Sequence, residues 1–174
     1  MRIAVFGKPG GGKSTLSLQI AAATGLPLHQ LDLVQYQHGG IKLPDEDFAA
    51  LHREILAREK WVVDGFGNPR VFEDMVLAAD MLVYVDRPIL MHYWWVTKRL
   101  LKSPLSRPLG RPEGSPMLSS TISSYRFLRR SPKFWNSALL AKLLALRPGK
   151  RVYVIRKHAD VVALLADLSG SRSQ

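Results

Sequence analysis

The sequence contains no cysteine, which excludes a disulfide framework and a thiolate metal site. No apolar run reaches the roughly 18 to 20 residues of a membrane-spanning helix, because polar and charged residues interrupt the runs near Ile89 and Ala138. Glycines directly follow the apolar residues 3–6, which argues against a secretory signal. The five histidines lack the spacing of metal ligands. These absences predict a cytoplasmic protein with no membrane partner.

Acidic residues are scarce in the carboxyl-terminal half of the chain. Residues 87–174 contain 17 Lys and Arg but only 3 Asp and Glu, whereas residues 1–86 contain 8 and 11. The net charge of the whole chain is +11. A basic half can bind nucleic acid, an anionic membrane or phosphorylated small molecules. Composition alone does not choose among these partners.

Apolar strand patterns alternate with helical patterns along the chain. We predict strands at 2–6, 28–32, 61–64, 81–86 and 151–155. We predict helices at 14–24, 44–59, 69–79, 88–102, 125–146 (with a break near Pro132) and 159–168. This alternation is typical of a five-stranded parallel sheet with helices on both faces. The 174 residues therefore predict one α/β domain over 1–174.

The stretch GKPGGGKST, residues 7–15, matches the Walker A pattern G-x-x-x-x-G-K-S. It lies between a predicted strand and a predicted helix, which is the context that this motif requires. Its glycines let backbone N–H groups approach phosphate oxygens, and the helix N-terminus favours negative charge. We expect Lys13 to contact the ATP phosphates, Ser14 to bind Mg²⁺, and Lys8 to face solvent. The predicted nucleotide-binding residues of this P-loop are Gly7, Gly10, Gly11, Gly12, Lys13, Ser14 and Thr15.

Asp64 ends the apolar strand WVVD, a position that suits the carboxylate that organises Mg²⁺ in a P-loop enzyme. The alternative is that Asp64 only caps the following turn. Residues 64–67, DGFG, also match the D-x-x-G element of a GTPase. A guanine-specific switch needs a downstream Asn/Thr-Lys-x-Asp element, and the nearest text, TKRL at 97–100, lacks the Asp. The sequence therefore disfavours a GTPase.

Residues 62–70, VVDGFGNPR, resemble the D-G-F-P-R signature of adenylate kinases, with Gly67 and Asn68 added. Together with the Walker A motif, LHQLD at 28–32 and the Arg-rich segment before the last strand, they make the chain similar to a known family. This is the adenylate-kinase-like family of DNA topology modulation proteins, and the resemblance covers nearly the whole chain. It implies a P-loop kinase that uses ATP and Mg²⁺.

The same resemblance assigns roles to several basic and aromatic residues. It places Arg99 on the nucleotide phosphates and Trp95 against the adenine. It also places Arg70 on a phosphate of the acceptor, and it ranks Arg129 and Arg130 among the arginines that contact the nucleotide. These assignments are what the resemblance implies.

The acceptor side remains open between two chemistries. Asp32 is predicted to end the second strand, at the sheet edge where ligands collect, and a carboxylate there suits a base for a hydroxyl acceptor. Arg70 instead favours a phosphate acceptor, which needs no base. Asp32 could also be a turn cap or an indirect Mg²⁺ contact. We expect residues 33–60 to form the acceptor lobe.

Residues 103–124 are rich in Ser, Pro and Gly, which predicts a loop that acts as a lid. Arg107 and Arg111 lie within it, and Arg129 and Arg130 follow it. Arginines that close over a moving phosphoryl group supply positive charge and exclude water. We therefore predict a phosphotransferase that moves the γ-phosphate of ATP to a small acceptor, with Lys13, Asp64, Arg99 and Asp32 as catalytic residues. The alternative is a P-loop NTPase whose basic half binds DNA or RNA, which the lack of a nucleic-acid-binding motif disfavours.

Overall fold

The computed structural model of the chain describes residues 1–102 and 117–170. Its five strands are β1 Arg2–Gly7, β2 Leu28–Gln30, β3 Trp61–Asp64, β4 Met81–Val85 and β5 Arg151–Ile155. They form one parallel sheet in the order β2-β3-β1-β4-β5. This order confirms the predicted five-stranded parallel sheet.

Eight α-helices connect and flank these strands within the described residues. They are α1 Lys13–Thr24, α2 Leu31–Gln35, α3 Asp45–Leu56, α4 Pro69–Ala78, α5 Ile89–Lys102, α6 Met117–Arg130, α7 Ser137–Ala145 and α8 His158–Gly170. Short 3₁₀ turns occupy His38–Gly40 and Ser131–Lys133.

The alternation of side chains in β1 divides the core between the two faces of the sheet. Ile3 and Val5 join a cluster that includes α1 and α8, whereas Ala4 and Phe6 join a larger cluster that includes α3, α4 and α7. Successive side chains of a strand point to opposite faces, so a strand buried on both sides must be apolar throughout. All four of these residues are fully buried.

Two predicted boundaries are wrong in places that affect the site. Strand β2 ends at Gln30, so Asp32 lies in the first turn of α2 and not at the end of a strand. Residues 117–124, predicted as loop, form the first part of α6. Thr121 and Leu128 are buried at helical spacing, seven residues apart, and the Ser-rich composition concealed that period. The remaining lid residues, 103–116, lie outside the described part of the chain.

The predicted break near Pro132 in the helical stretch 125–146 is present, because Pro132 cannot donate a hydrogen bond within a helix. The 3₁₀ turn Ser131–Lys133 ends α6, and α7 begins after Asn136. The Asn136 side chain accepts a hydrogen bond from the Leu139 amide at 3.0 Å. This contact caps the new helix.

Candidate functional site

A cleft of about 1010 Å³ opens at the carboxyl edge of the sheet. Its walls are the P-loop, the β2–α2 segment, residues 64–67 after β3, one face of α5, one face of α6 and the start of α8. Ligands of open α/β sheets bind at this edge. The volume lies at the upper end of the range for small-molecule sites, which leaves room for two ligands side by side.

The P-loop can pass close to α5 only because it is made of glycine. Gly10 has a φ of 74°, and a Cβ there would lie 2.8 Å from the His92 carbonyl oxygen and 2.9 Å from a Val96 methyl. A Cβ on Gly11 would lie 2.8 Å from the His92 ring. Gly12 also has a left-handed φ, 84°, at the start of α1. The loop therefore excludes side chains at the positions where backbone amides must face a ligand. The predicted P-loop residues Gly7, Gly10, Gly11, Gly12, Lys13, Ser14 and Thr15 all line the cleft.

His92 of α5 contacts the P-loop from behind. Its Nδ1 lies 2.8 Å from the Pro9 carbonyl oxygen, and its Nε2 lies 3.2 Å from the Arg87 carbonyl oxygen. The ring is fully buried, and burial lowers the pKa of His92. A neutral imidazole has one N–H to donate, so it binds one of the two carbonyls firmly. The ring connects the P-loop to the loop that follows β4.

Lys8 does not face solvent, and the prediction that it does is wrong. Only 7% of Lys8 is exposed, and its Nζ lies 3.3 Å from Asp86 Oδ1. Asp86 also accepts hydrogen bonds from the Tyr84 hydroxyl and from Arg156 Nε, each at 3.3 Å. A buried lysine needs such a counter-charge. Lys8 therefore ties the P-loop to the end of β4.

Lys13 and Asp64 form the charged centre of the cleft. Lys13 Nζ donates to the Lys8 carbonyl oxygen at 3.0 Å, and Asp64 is 4% exposed at the end of β3. Burial lowers the pKa of Lys13, while the carboxylates of Asp64 and Asp32 oppose that change. Burial raises the pKa of Asp64, and the positive charge of Lys13 opposes that change. Each charge offsets part of the cost of burying the other.

Several residues that line the cleft have a buried side-chain atom with no hydrogen-bond partner among the described residues. Asp64 Oδ1, Arg99 Nε, Arg87 Nε and Gln30 Nε2 are all buried and unpaired. Buried polar groups in native proteins are nearly always paired. A ligand with both anionic and cationic groups, such as a magnesium nucleotide, offers partners to the first three. The residues present therefore fit ATP and Mg²⁺.

Arg99, Arg87 and Trp95 form the α5 side of the cleft. Arg99 is partly buried, and its Nη2 lies 3.5 Å from the Ser124 hydroxyl of α6. Burial lowers the pKa of Arg99, and the carboxylate of Asp32 opposes that change. The Arg87 guanidinium lies 5.5 Å from the centre of the Trp95 ring, a cation–π distance. Arg99 and Trp95 both line the cleft, and their contacts with the phosphates and the adenine stay predictions.

The remaining predicted site residues divide into one that lines the cleft and three that do not. Asp32 is exposed to the cleft and lines it. Arg70, Arg129 and Arg130 are exposed and do not line it. Gly67 and Asn68 account for the position of Arg70. Asn68 caps α4 by accepting from the Val71 amide at 3.0 Å, so Arg70 falls in the first turn of that helix.

Arg107 and Arg111 lie in residues 103–116, outside the described part of the chain.

Sequence reasoning missed a set of uncharged polar residues that also line the cleft. They are Gln30, Gln35, Tyr36, Ser119, Ser120, Ser123 and Ser124. A usable signal was present, because the serines occur in two pairs at a spacing of four residues, which places them on one helix face.

The fold of this chain is similar to that of solved kinase structures. Shikimate kinase from Acinetobacter baumannii, in complex with shikimate, is 14% identical to this chain with a TM-score of 0.57, over 99% of this chain and 92% of its own. Shikimate kinase from Bacteroides thetaiotaomicron is 14% identical with a TM-score of 0.52, over 100% and 99%. No protein-family model matches the chain, and no curated protein matches it. The chain has the fold of the P-loop small-molecule kinases.

The described residues lack a membrane-spanning helix and a cluster of metal-binding side chains. No helix in residues 1–102 and 117–170 is long and apolar enough to cross a membrane. The same residues contain no group of three or more His, Asp or Glu side chains that could hold a metal ion unaided.

Proposed function

We propose that the protein is an ATP- and Mg²⁺-dependent phosphotransferase of the adenylate-kinase-like P-loop class, which moves the γ-phosphate of ATP to a small acceptor. One observation carries the proposal. The Asp64 carboxylate is buried, and its Oδ1 has no hydrogen-bond partner among the described residues. It interacts electrostatically with Lys13, which follows the glycines of the P-loop. This combination costs stability unless a ligand uses it. The P-loop kinase fold supports the same conclusion.

The P-loop residues divide the work of holding the nucleotide. Backbone amides of Gly10 to Thr15 and the N-terminus of α1 bind the phosphates. The Ser14 hydroxyl and Asp64 hold Mg²⁺. When bound, ATP supplies the phosphoryl group and Mg²⁺ neutralises charge on its phosphates. Lys13 and Arg99 stabilise the negative charge that develops during transfer.

Asp32 is proposed to serve the acceptor. Asp32 lines the cleft, and its carboxylate is close enough to Lys13 and Arg99 to raise the pKa values of both. A carboxylate there can accept a proton from an acceptor hydroxyl. The domain is proposed to use residues 33–60 as the acceptor lobe and residues 103–124 as the lid. Membership of the DNA topology modulation family stays a prediction.

One observation favours a second candidate, a nucleic-acid-associated P-loop NTPase. Arg126, Arg129, Arg130 and Lys133 are exposed and do not line the cleft. The affinity for duplex DNA, measured at a series of salt concentrations, tests this candidate. Tight binding that survives physiological salt, and that weakens when Arg129 and Arg130 are changed to alanine, supports it. Weak binding that modest salt abolishes is what any basic surface gives.

The proposed kinase is tested with MgATP and the variant Lys13→Ala. We expect a loss of MgATP binding by calorimetry and a loss of phosphoryl transfer on the order of 10²–10³-fold, with an unchanged circular dichroism spectrum. Lys142→Ala removes an exposed lysine of α7 and serves as the matched control. Equal MgATP binding by both variants contradicts the proposal.

A further inference from the structure

We propose that the acceptor is a neutral hydroxyl compound with an apolar face, bound between the β2–α2 segment, residues 65–67 and the serine-bearing face of α6. The inference rests on the proposed phosphotransferase function and deepens it. It concerns one half of the cleft lining, which the β2–α2 segment, residues 65–67 and α6 contribute. We call this half the acceptor pocket, and its residues are Gln30, Asp32, Gln35, Tyr36, Phe66, Ser119, Ser120, Ser123, Ser124 and Phe127.

The distribution of charge in the cleft argues against an anionic acceptor. Among the described residues, the Lys and Arg side chains that line the cleft are Lys13, Arg87, Lys98 and Arg99. The first belongs to the P-loop and the other three to the β4–α5 side. Within residues 1–102 and 117–170, the one charged group of the acceptor pocket is the Asp32 carboxylate, which repels an anion. Arg99 borders the pocket, but Asp32 offsets its charge.

Uncharged hydrogen-bonding groups dominate the rest of the acceptor pocket. Gln30 Nε2 is buried and has no hydrogen-bond partner in the described part of the chain, so its N–H groups are available to a ligand oxygen. Hydroxyl groups such as those of Ser120 and Ser123 can both donate and accept. A ligand hydroxyl has the same double capacity. A site built to hydrogen-bond hydroxyls discriminates strongly against analogues that lack them.

Two aromatic rings set the shape of the remaining wall. Phe66 and Phe127 meet edge to face, with ring centres 6.2 Å apart, and both line the pocket. Phe66 is fixed by further ring contacts with Phe134 at 5.0 Å and Trp135 at 5.4 Å. Ordered rings of this kind bury apolar ligand surface. The acceptor therefore combines several hydroxyls with an apolar face, as cyclic polyols, sugars and nucleosides do.

The chemistry of Asp32 agrees with this class of acceptor. In the proposed step, a hydroxyl oxygen of the acceptor forms a bond to the γ-phosphorus. The bond between that phosphorus and the bridging oxygen breaks, and its electron pair leaves with ADP. The hydroxyl proton passes to the Asp32 carboxylate. A phosphate acceptor carries no such proton at its attacking oxygen, so it would not need Asp32 as a general base.

The experiment separates an extract of cellular metabolites by charge. Anion exchange at neutral pH divides it into an unbound fraction, neutral and cationic, and a bound anionic fraction. Each fraction is incubated with the full chain, Mg²⁺ and γ-labelled ATP, and labelled organic product is counted. The shift in unfolding temperature that each fraction causes, with a non-hydrolysable ATP analogue present, gives a readout independent of turnover.

We expect the unbound fraction to yield labelled product and to raise the unfolding temperature, and the anionic fraction to do neither. When the unbound fraction is supplied in a limiting amount, Ser123→Ala should reduce the labelled product about tenfold without changing MgATP binding. Ser137→Ala, which changes an exposed serine of α7, should have no effect. Product from the anionic fraction alone, or from neither fraction while MgATP still binds, overturns the neutral acceptor. Failure of MgATP to bind overturns the proposed function itself.

Discussion

The P-loop and the acceptor pocket share one cleft, but different constraints define them. The P-loop is fixed by steric limits, since a single Cβ on Gly10 or Gly11 would collide with α5. The acceptor pocket is fixed by side chains on α2 and α6, most of which could change without moving the backbone. The nucleotide end of this cleft therefore tolerates few substitutions, whereas side chains at the acceptor end can specify a substrate.

The largest expected effect breaks the steric constraint on the P-loop. Gly10→Ala puts a Cβ 2.8 Å from the His92 carbonyl oxygen at a φ of 74°. We expect MgATP binding to become undetectable by calorimetry. Gly39→Ala is the matched control, because Gly39 has nearly the same φ, 77°, but nothing within 4 Å. It should cost about 1–2 kcal/mol of stability and leave MgATP binding intact. Equal binding by the two variants would show that the loop tolerates a side chain.

The next effect separates the two ends of the cleft. Asp32→Asn removes the proposed base but keeps its shape, so phosphoryl transfer should fall about 10²–10⁴-fold with MgATP binding unchanged. Transfer is measured with the unbound metabolite fraction at saturating MgATP. Asp47→Asn, an exposed carboxylate in the first turn of α3, is the control and should keep full transfer. Undiminished transfer by Asp32→Asn would return Asp32 to the role of a turn residue.

A smaller effect compares two arginines that sequence reasoning placed in the same group. Arg99 lines the cleft and contacts Ser124, whereas Arg129 is exposed and does not line it. Arg99→Ala should lower phosphoryl transfer about 10²-fold, and Arg129→Ala should change it less than twofold. Single-turnover rates with both variants measure the difference. A loss in Arg129→Ala as large as that in Arg99→Ala would mean that the end of α6 moves into the cleft during turnover.

The sequence allowed the nucleotide end to be predicted far better than the acceptor end. Gly7 to Thr15 and Asp64 could be placed because a continuous motif and a strand end determine their positions. Arg70 could not, because the resemblance gave it a contact with the acceptor, whereas in the structure it lies in the first turn of α4 after the Asn68 cap, exposed and outside the cleft lining. The serine face of α6 was missed because Ser and Gly in the same segment signal a loop, although packing against α5, including the stacked rings of Tyr93 and Tyr125, keeps it helical.

The smallest expected effect concerns the contact that joins the P-loop to α5. Burial lowers the pKa of His92 below the 6.5 of an exposed histidine, so the unfolded chain binds the proton more tightly than the folded one. Stability from this residue is therefore complete above pH 6.5 and is lost as the pH falls toward the lowered value. Urea unfolding at a series of pH values should show this loss in the wild type.

The variant His92→Gln isolates that contribution. Glutamine can donate to the Pro9 carbonyl oxygen but does not titrate, so we expect a smaller loss of stability below pH 6.5 than in the wild type. His52 is also buried with a lowered pKa, but it lies on α3, remote from the P-loop residues in sequence and not among those that line the cleft. His52→Gln should therefore reduce the acid sensitivity without changing MgATP affinity, whereas His92→Gln should change both. Unchanged MgATP affinity in His92→Gln would mean that Lys8 and the glycines hold the P-loop without help from the imidazole.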